Sequence, residues 1–487
     1  MFRYEKIDAV STIFLNPIER VVEFTPRGAD NIAKVLSLSV DGKVLSATSC
    51  DGYADVSGRG DFTLIYLDFD GNPSSANYNA DFNVRLDGDI SPNDKLSVSI
   101  KVIEWNINTG DILTLSAVVK VYGMVTKTIP LNMLGDAEDS YITTTKVTIP
   151  TLASSTNFSF PVDEETTVGD VEKVLSLCTK CSLTHTKVRD KQVDVSIDTS
   201  ATITYVEGGQ IRTATFLVSS EESYALEDIM AGDRVYVLPQ IKSGKVVLAG
   251  VTGENILRFE GEISVAIQSV RYLEQEIATD LFMLTHNTTE ERETVNLTAF
   301  QSTGFYKERI YGEADLPDCE NGALIGVPAV TAFVAKAMAD EDVTVEGIVT
   351  AEILYSANGE AQSVRAEVPY SVGLIGDFSG KLVPRVSVLD VTVKIKNQKA
   401  EINALLGFEI SSFAENDISY ISNVELGEER PVNTSGLSMY VAKDGDTMWD
   451  VSKALTATPE QIMAQNPTLT FPLKECDKVL YFRQLKG

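Results

Sequence analysis

Histidine is nearly absent from this chain: His185 and His286 are the only two in 487 residues. A histidine-based triad would have to use one of them, and neither comes with a nucleophile motif such as Gly-x-Ser-x-Gly. There is no phosphate-binding loop. Cysteines are few and odd in number (Cys50, Cys178, Cys181, Cys319 and Cys476), which argues against an oxidised framework. Basic residues are also scarce, 41 against 70 acidic ones, for a net charge of −29. So acidic a surface repels nucleic-acid phosphates and anionic lipid, and suits basic patches on other proteins. No stretch approaches the roughly 18–20 apolar residues of a membrane span. The opening MFRYEKIDAVSTIFLNPIERVVEF is broken by Glu5, Asp8 and Glu19. Neither signal peptide nor anchor is expected there, and the chain reads as cytosolic.

Two fragments of metal chemistry are incomplete. Cys178, Cys181 and His185 form Cys-x2-Cys-x3-His, but a structural zinc site needs a fourth ligand and none is nearby. DFDGN at Asp68 starts like a calcium loop, yet Pro73 stands where the glycine belongs and position twelve is not Glu. It reads as a hairpin turn. No metal, cofactor or catalytic residue is assigned, and the chain is not read as an enzyme.

What is present is globular composition, 44% hydrophobic and 23% charged, and length for about three to five domains. The length is explained by a repeat. KVLSLSV at Lys34 returns as KVLSLCT at Lys173, a step of 139 that also carries Val56 onto Val195, Leu64 onto Ile203 and Tyr66 onto Tyr205. A further step of 150 carries Val195, Ala201, Ile203 and Tyr205 onto Val345, Ala351, Ile353 and Tyr355. Around these positions apolar and polar residues alternate, which is a strand with one buried face. Each strand then meets a glycine turn: DFDGN, VEGGQ and SANGE. The pattern predicts a mainly β fold of three antiparallel, sandwich-like units at roughly 24–134, 160–284 and 300–428. Domain limits follow at 1–140, 141–290 and 291–430. Short helices are expected near GADNIAKVL and VPAVTAFVAKAMA.

GEERPVNTSGLS, from Gly427, is polar and carries Pro and Gly as linkers do; residues 431–438 are taken as the linker itself. A different pattern follows over 439–485. MYVAK is a short strand. Met448, Val451 and Leu455 recur at helical spacing, and Trp449, Val451 and Leu455 are expected in the core. Thr458, Pro459 and Gln461 supply an N-cap, a first-position proline and a capping box. Asn466-Pro467 ends this second helix, and KVLYF closes a β-α-α-β module.

This module resembles a LysM domain. The family's opening is matched by Tyr440, Val441, Gly445, Asp446, Thr447, Trp449, Val451 and Ser452, with Met448 in place of leucine; its central Asn-Pro is matched by Asn466 and Pro467. The resemblance implies a shallow groove at Asp444, Gly445, Asp446 and Thr447 on one side and Asn466, Pro467, Thr468 and Leu469 on the other. Sugar-binding members hold N-acetylglucosamine units of peptidoglycan or chitin there. This chain departs from the family at Cys476, where glycine is usual, and Glu475 and Asp477 make that rim acidic.

The block VTVEGIVTAEILYSANGEAQSVRAEVPYS, from Val343, is similar to the SPOCS domain through Val345, Gly347, Ile353, Leu354, Tyr355, Gly359 and Pro369. The first copy keeps Gly58, Tyr66 and Gly71; the middle copy has Ile197 in place of the first glycine. SPOCS repeats ahead of a C-terminal LysM domain are the arrangement of SipL-like spore coat morphogenesis proteins, relatives of SpoVID-like ones. The resemblance implies a non-enzymatic tether in the mother-cell cytoplasm, docking the coat's basement layer onto the forespore surface. The partner it implies is the coat morphogenetic ATPase SpoIVA. Two other readings stay open: a peptidoglycan- or chitin-fragment binder, and a phage tail or baseplate component.

Overall fold

A computed structural model describes residues 2–482 apart from 27–30, 111, 252–253, 318, 320–321, 340–341 and 431–435. The chain is mainly β, with several antiparallel sheets and two short helices. Among the described residues no helix is long and apolar enough to cross a membrane.

One strand order occurs three times. The first unit comprises β1 (Phe2–Phe14), β2 (Ile18–Phe24), β3 (Lys34–Cys50), β4 (Tyr53–Leu67), β5 (Pro73–Asp87), β6 (Lys95–Thr109) and β7 (Leu113–Ala137). The second has β8 (Ser140–Val168), β9 (Val171–Arg189), β10 (Gln192–Glu207), β11 (Gln210–Ala225), β12 (Arg234–Val251) and β13 (Glu254–Met283). The third has β14 (His286–Asp315), β15 (Ala323–Ala339), β16 (Val343–Ala357), β17 (Glu360–Leu374), β18 (Lys381–Lys396) and β19 (Lys399–Glu429). In each unit a three-stranded sheet, β3-β4-β5, β9-β10-β11 or β15-β16-β17, packs on a second layer. That layer is centred on β7, β13 or β19. In the first unit one edge of β7 is shared by β1 and β2, which are separated by Pro17, a residue that cannot donate to a ladder.

The repeat holds to the level of register. Tyr66, Tyr205 and Tyr355 lie near the ends of the three central strands, opposite Val35, Val174 and Leu324. One residue later each first strand bulges, at Leu36, Leu175 and Ile325. The turns that follow use the expected chemistry. Asn358 and Gly359 have φ of 52° and 83°, as a two-residue hairpin turn of the primed type requires. Asp68 Oδ1 accepts from the backbone N–H groups of Asp70 and Asn72, which makes DFDGN an Asx-type turn. Gly347 has a different reason: a Cβ there would collide with the Phe333 carbonyl and the Tyr370 ring.

Each sandwich has its own core; that of the third contains Val345, Ala351, Ile353 and Phe408. The units are nevertheless not beads on a string. The bulge residues Leu36, Leu175 and Ile325 meet in one cluster with Ile65, Val206 and Leu354. Around it β4 and β5 approach β9, β10 and β11 approach β15, and β16 and β17 return to β3. The three small sheets thus close a pseudo-threefold ring. Beyond it, β1–β7, β8–β13 and β14–β19 continue as three paired ribbons, forming a stem. Three clusters in this stem each draw residues from all three units, for example Leu131, Ile277 and Ile418. Hydrogen bonds tie the ribbons together, including Thr298 N–H to Ser11 Oγ at 3.0 Å and Asn416 Nδ2 to the Thr148 carbonyl at 2.8 Å. Burial of inward stem residues against two other units is what joins the repeats.

Two expectations are corrected. VPAVTAFVAKAMA is strand β15, not helix. Its alanine content favours a helix, but pairing along β16 overrides that weak preference. GADNIAKVL lies partly outside the described residues and is strand β3 from Lys34 onward. Of the linker expected at 431–438, residues 431–435 lie outside the described residues, and Leu437 and Ser438 belong to the strand that opens the C-terminal module.

Candidate functional site

The C-terminal module is built from β20 (Leu437–Val441), α1 (Met448–Leu455), α2 (Pro459–Gln465) and β21 (Lys478–Phe482), with the two strands paired antiparallel. Both helices begin as the sequence dictates. Thr447 and Asp450 form one capping box, Thr458 and Gln461 the other, each satisfying N–H groups that a helix leaves open. Val451, Ile462, Val479 and Tyr481 are buried between helices and sheet.

The loop at Gly445 and Asp446 is paired with Leu473, four residues beyond the expected second side at 466–469. The Gly445 N–H donates to the Leu473 carbonyl at 2.9 Å, and the Leu473 N–H to the Asp446 carbonyl at 2.8 Å. Several groove side chains have structural duties. Asp446 Oδ2 accepts from Tyr440 OH and from the Lys443 N–H, both at 2.7 Å. The Tyr440 hydrogen bond, with that N–H, holds the Asp446 carboxyl below the usual carboxylate range, and the same contact pushes Tyr440 up to about 12. Asn466 spends its amide on β21: Nδ2 donates to the Leu480 carbonyl at 2.7 Å and Oδ1 accepts from the Leu480 N–H at 3.1 Å. Thr447 is the helix cap, and Leu469 packs on the module core. Asp444, Gly445, Pro467 and Thr468 are exposed. Among the described residues, the hydrogen bonds of these eight positions stay inside the module.

Trp449 differs from expectation. Val451 is fully buried in the module and Leu455 packs on its core, but Trp449 turns outward to the stem. Its indole Nε1 donates to Asp280 Oδ2 at 2.8 Å, and its ring meets Phe282 edge-on at 5.1 Å. Lys453 Nζ lies 2.6 Å from Asp280 Oδ1, Arg292 lies 3.5 Å from the same oxygen, and Arg430 donates to Thr456 Oγ1 at 2.8 Å. Burial raises the Asp280 carboxyl, but Lys453 and Trp449 more than offset it and hold it below its ordinary range. The signal was in the spacing. Trp449 and Lys453 stand at i and i+4 on one helix face, with Thr456 at the C-cap, whereas Met448, Val451 and Leu455 mark the other face. Asp280 and Phe282 had no such signal, because nothing in a strand of the second unit announces its distant partner.

Cys476 has φ of +72° and is exposed. That left-handed conformation costs a side-chain-bearing residue roughly 1–2 kcal/mol, and glycine adopts it freely. Cys476→Gly is therefore expected to raise the module's stability by up to about 1 kcal/mol, after part of the gain is lost to the more flexible unfolded chain. Cys476→Val is expected to lower it; denaturant midpoints of the two variants provide the check.

Cys178 and Cys181 lie on an uninterrupted stretch of β9, paired with Thr202 and Thr199. Three positions apart on a strand, they leave opposite faces. Burial pushes both thiols up, Cys181 to about 12, which disfavours the thiolate a metal needs. Purified protein is expected to hold no stoichiometric zinc by elemental analysis, and a chelator to leave its melting temperature unmoved.

No family model, curated protein or solved structure matches this chain.

Proposed function

We propose that this protein is a non-enzymatic scaffold of spore coat assembly, with three SPOCS-like units carrying a LysM-like module. The observation that carries the reading is the module's placement. It is anchored on the stem through Trp449 and Lys453, while its groove residues make no such contact among the described residues. The arrangement supports a rigid body that presents one small binding module. The repeated Tyr-turn pattern and its threefold register support the SPOCS-like part; the β-α-α-β order with both capping boxes supports the LysM-like part.

In this reading the protein works in the mother-cell cytoplasm at the forespore surface, where the module engages the SpoIVA-like coat ATPase. Asp444 and Glu475 are exposed around the groove and favour a partner with a basic patch, in a contact that weakens with salt. Affinity purification of the full chain from sporulating cells tests the proposal. The expected result is co-purification of the coat ATPase, reduced by the double variant Asp444→Lys and Thr468→Lys. Both positions are exposed and neither caps a helix, so circular dichroism is expected to be unchanged. Recovery of wall fragments or phage structural proteins in place of the ATPase would overturn it.

A further inference from the structure

A crevice of about 610 Å³ lies between the first and second units, within the range of small-molecule sites. Val44 and Lys95 line it from the first unit; Leu238, Gln240, Ala266 and Gln268 line it from the second. Its chemistry is an exception on this chain. Among the described lining residues there is one lysine and no carboxylate, on a protein with 70 acidic residues.

The internal repeat shows the corresponding place when it is filled. The β12–β13 ladder starts at Arg234↔Val270 and bulges at Lys242; the β18–β19 ladder starts at Lys381↔Phe413 and bulges at Leu389. The two ladders keep the same register from their first pair to their bulges, so Leu238 and Ala266 correspond to Arg385 and Glu409. Those two form a buried ion pair between the second and third units. Glu409 accepts the Leu183 N–H at 2.8 Å, and Arg385 donates to the Val237 carbonyl at 3.0 Å. Leu183 in turn corresponds to Val44, by the step of 139 that relates the first two units. An ion pair therefore closes one interface where its sister has two aliphatic side chains and open volume.

We propose that the crevice between the first and second units binds a small carboxylate-bearing molecule with an apolar body. The carboxylate takes the place Glu409 fills in the sister interface and is attracted by Lys95. The apolar body lies on Leu238 and its aliphatic neighbours, and the absence of lining carboxylates spares the ligand like-charge repulsion.

Saturation-transfer NMR on the full chain tests this, with 4-phenylbutyrate and its uncharged amide as probes. The acid is expected to bind about threefold to fivefold more tightly than the amide, the scale of one exposed charge pair. Lys95→Gln is expected to abolish that preference. The double variant Leu238→Arg and Ala266→Glu, which copies the sister interface, is expected to abolish binding of both probes with the melting curve retained. If the double variant does not fold, Val44→Phe provides the block. Equal binding of acid and amide, no signal at about 10 mM acid, or binding that survives in a folded plugged variant would overturn the proposal.

Discussion

Ile353→Asp is expected to unfold the whole three-unit body in one step, not the third unit alone. Ile353 is fully buried in the core of the third sandwich. A carboxylate there has no partner, and an unpaired buried charge costs several kcal/mol, a large share of the 5–15 kcal/mol that holds a typical fold. The loss spreads because the neighbouring residue serves another core. Leu354 points to the opposite face of β16 and sits in the axial cluster with Leu36 and Leu175 of the other units. The third unit also supplies Phe300, Phe413, Leu297 and Ile418 to the stem. Scanning calorimetry of the wild type is therefore expected to show one transition for the β-body, and the variant to lose it. Two surviving units that melt at the wild-type temperature would contradict the shared core.

Asp280→Ala is expected to free the C-terminal module from the stem while both remain folded. The substitution removes the acceptor of the Trp449 indole and the partner of Lys453. Hydrogen bonds to a charged group are each worth about 1.5–3 kcal/mol when well shielded. The partial exposure of this site lowers that, to about 2 kcal/mol for the pair. The chain has two tryptophans, and Trp105 is buried against Glu352 and Arg365 of the third unit. Release is therefore expected as a red shift in fluorescence from Trp449 alone. Acid has the same effect. The Asp280 carboxyl is held below its ordinary value when docked, so docking is at full strength above about pH 4 and weakens as pH falls through the docked value. Wild-type fluorescence that stays constant to pH 2 would argue against Asp280 as the anchor.

The strands were legible where burial falls on one face. Alternation around Ile203 and Ile353 located the central strands, and the repeated tyrosines gave their register. The closed ring was not legible, because nothing in the sequence sets Leu36, Leu175 and Ile325 apart from their apolar neighbours. Only a bulge turns them to the axis. The stem was hidden for a related reason: its inward residues are covered only by ribbons of the other two units, as Leu131, Ile277 and Ile418 cover one another. In the module, caps and Asn466-Pro467 set the helices correctly because those signals are local. The duties of Asn466 and Asp446 emerged only with β21 and Tyr440 in place.

The most direct test of the scaffold reading is a binding measurement on the intact chain, by interferometry, against the purified coat ATPase and against chitin oligomers. The reading predicts saturable binding to the ATPase that weakens with salt and with Asp444→Lys plus Thr468→Lys, and little or none to the oligomers. Micromolar binding to chitin oligomers, with none to the ATPase, would contradict it.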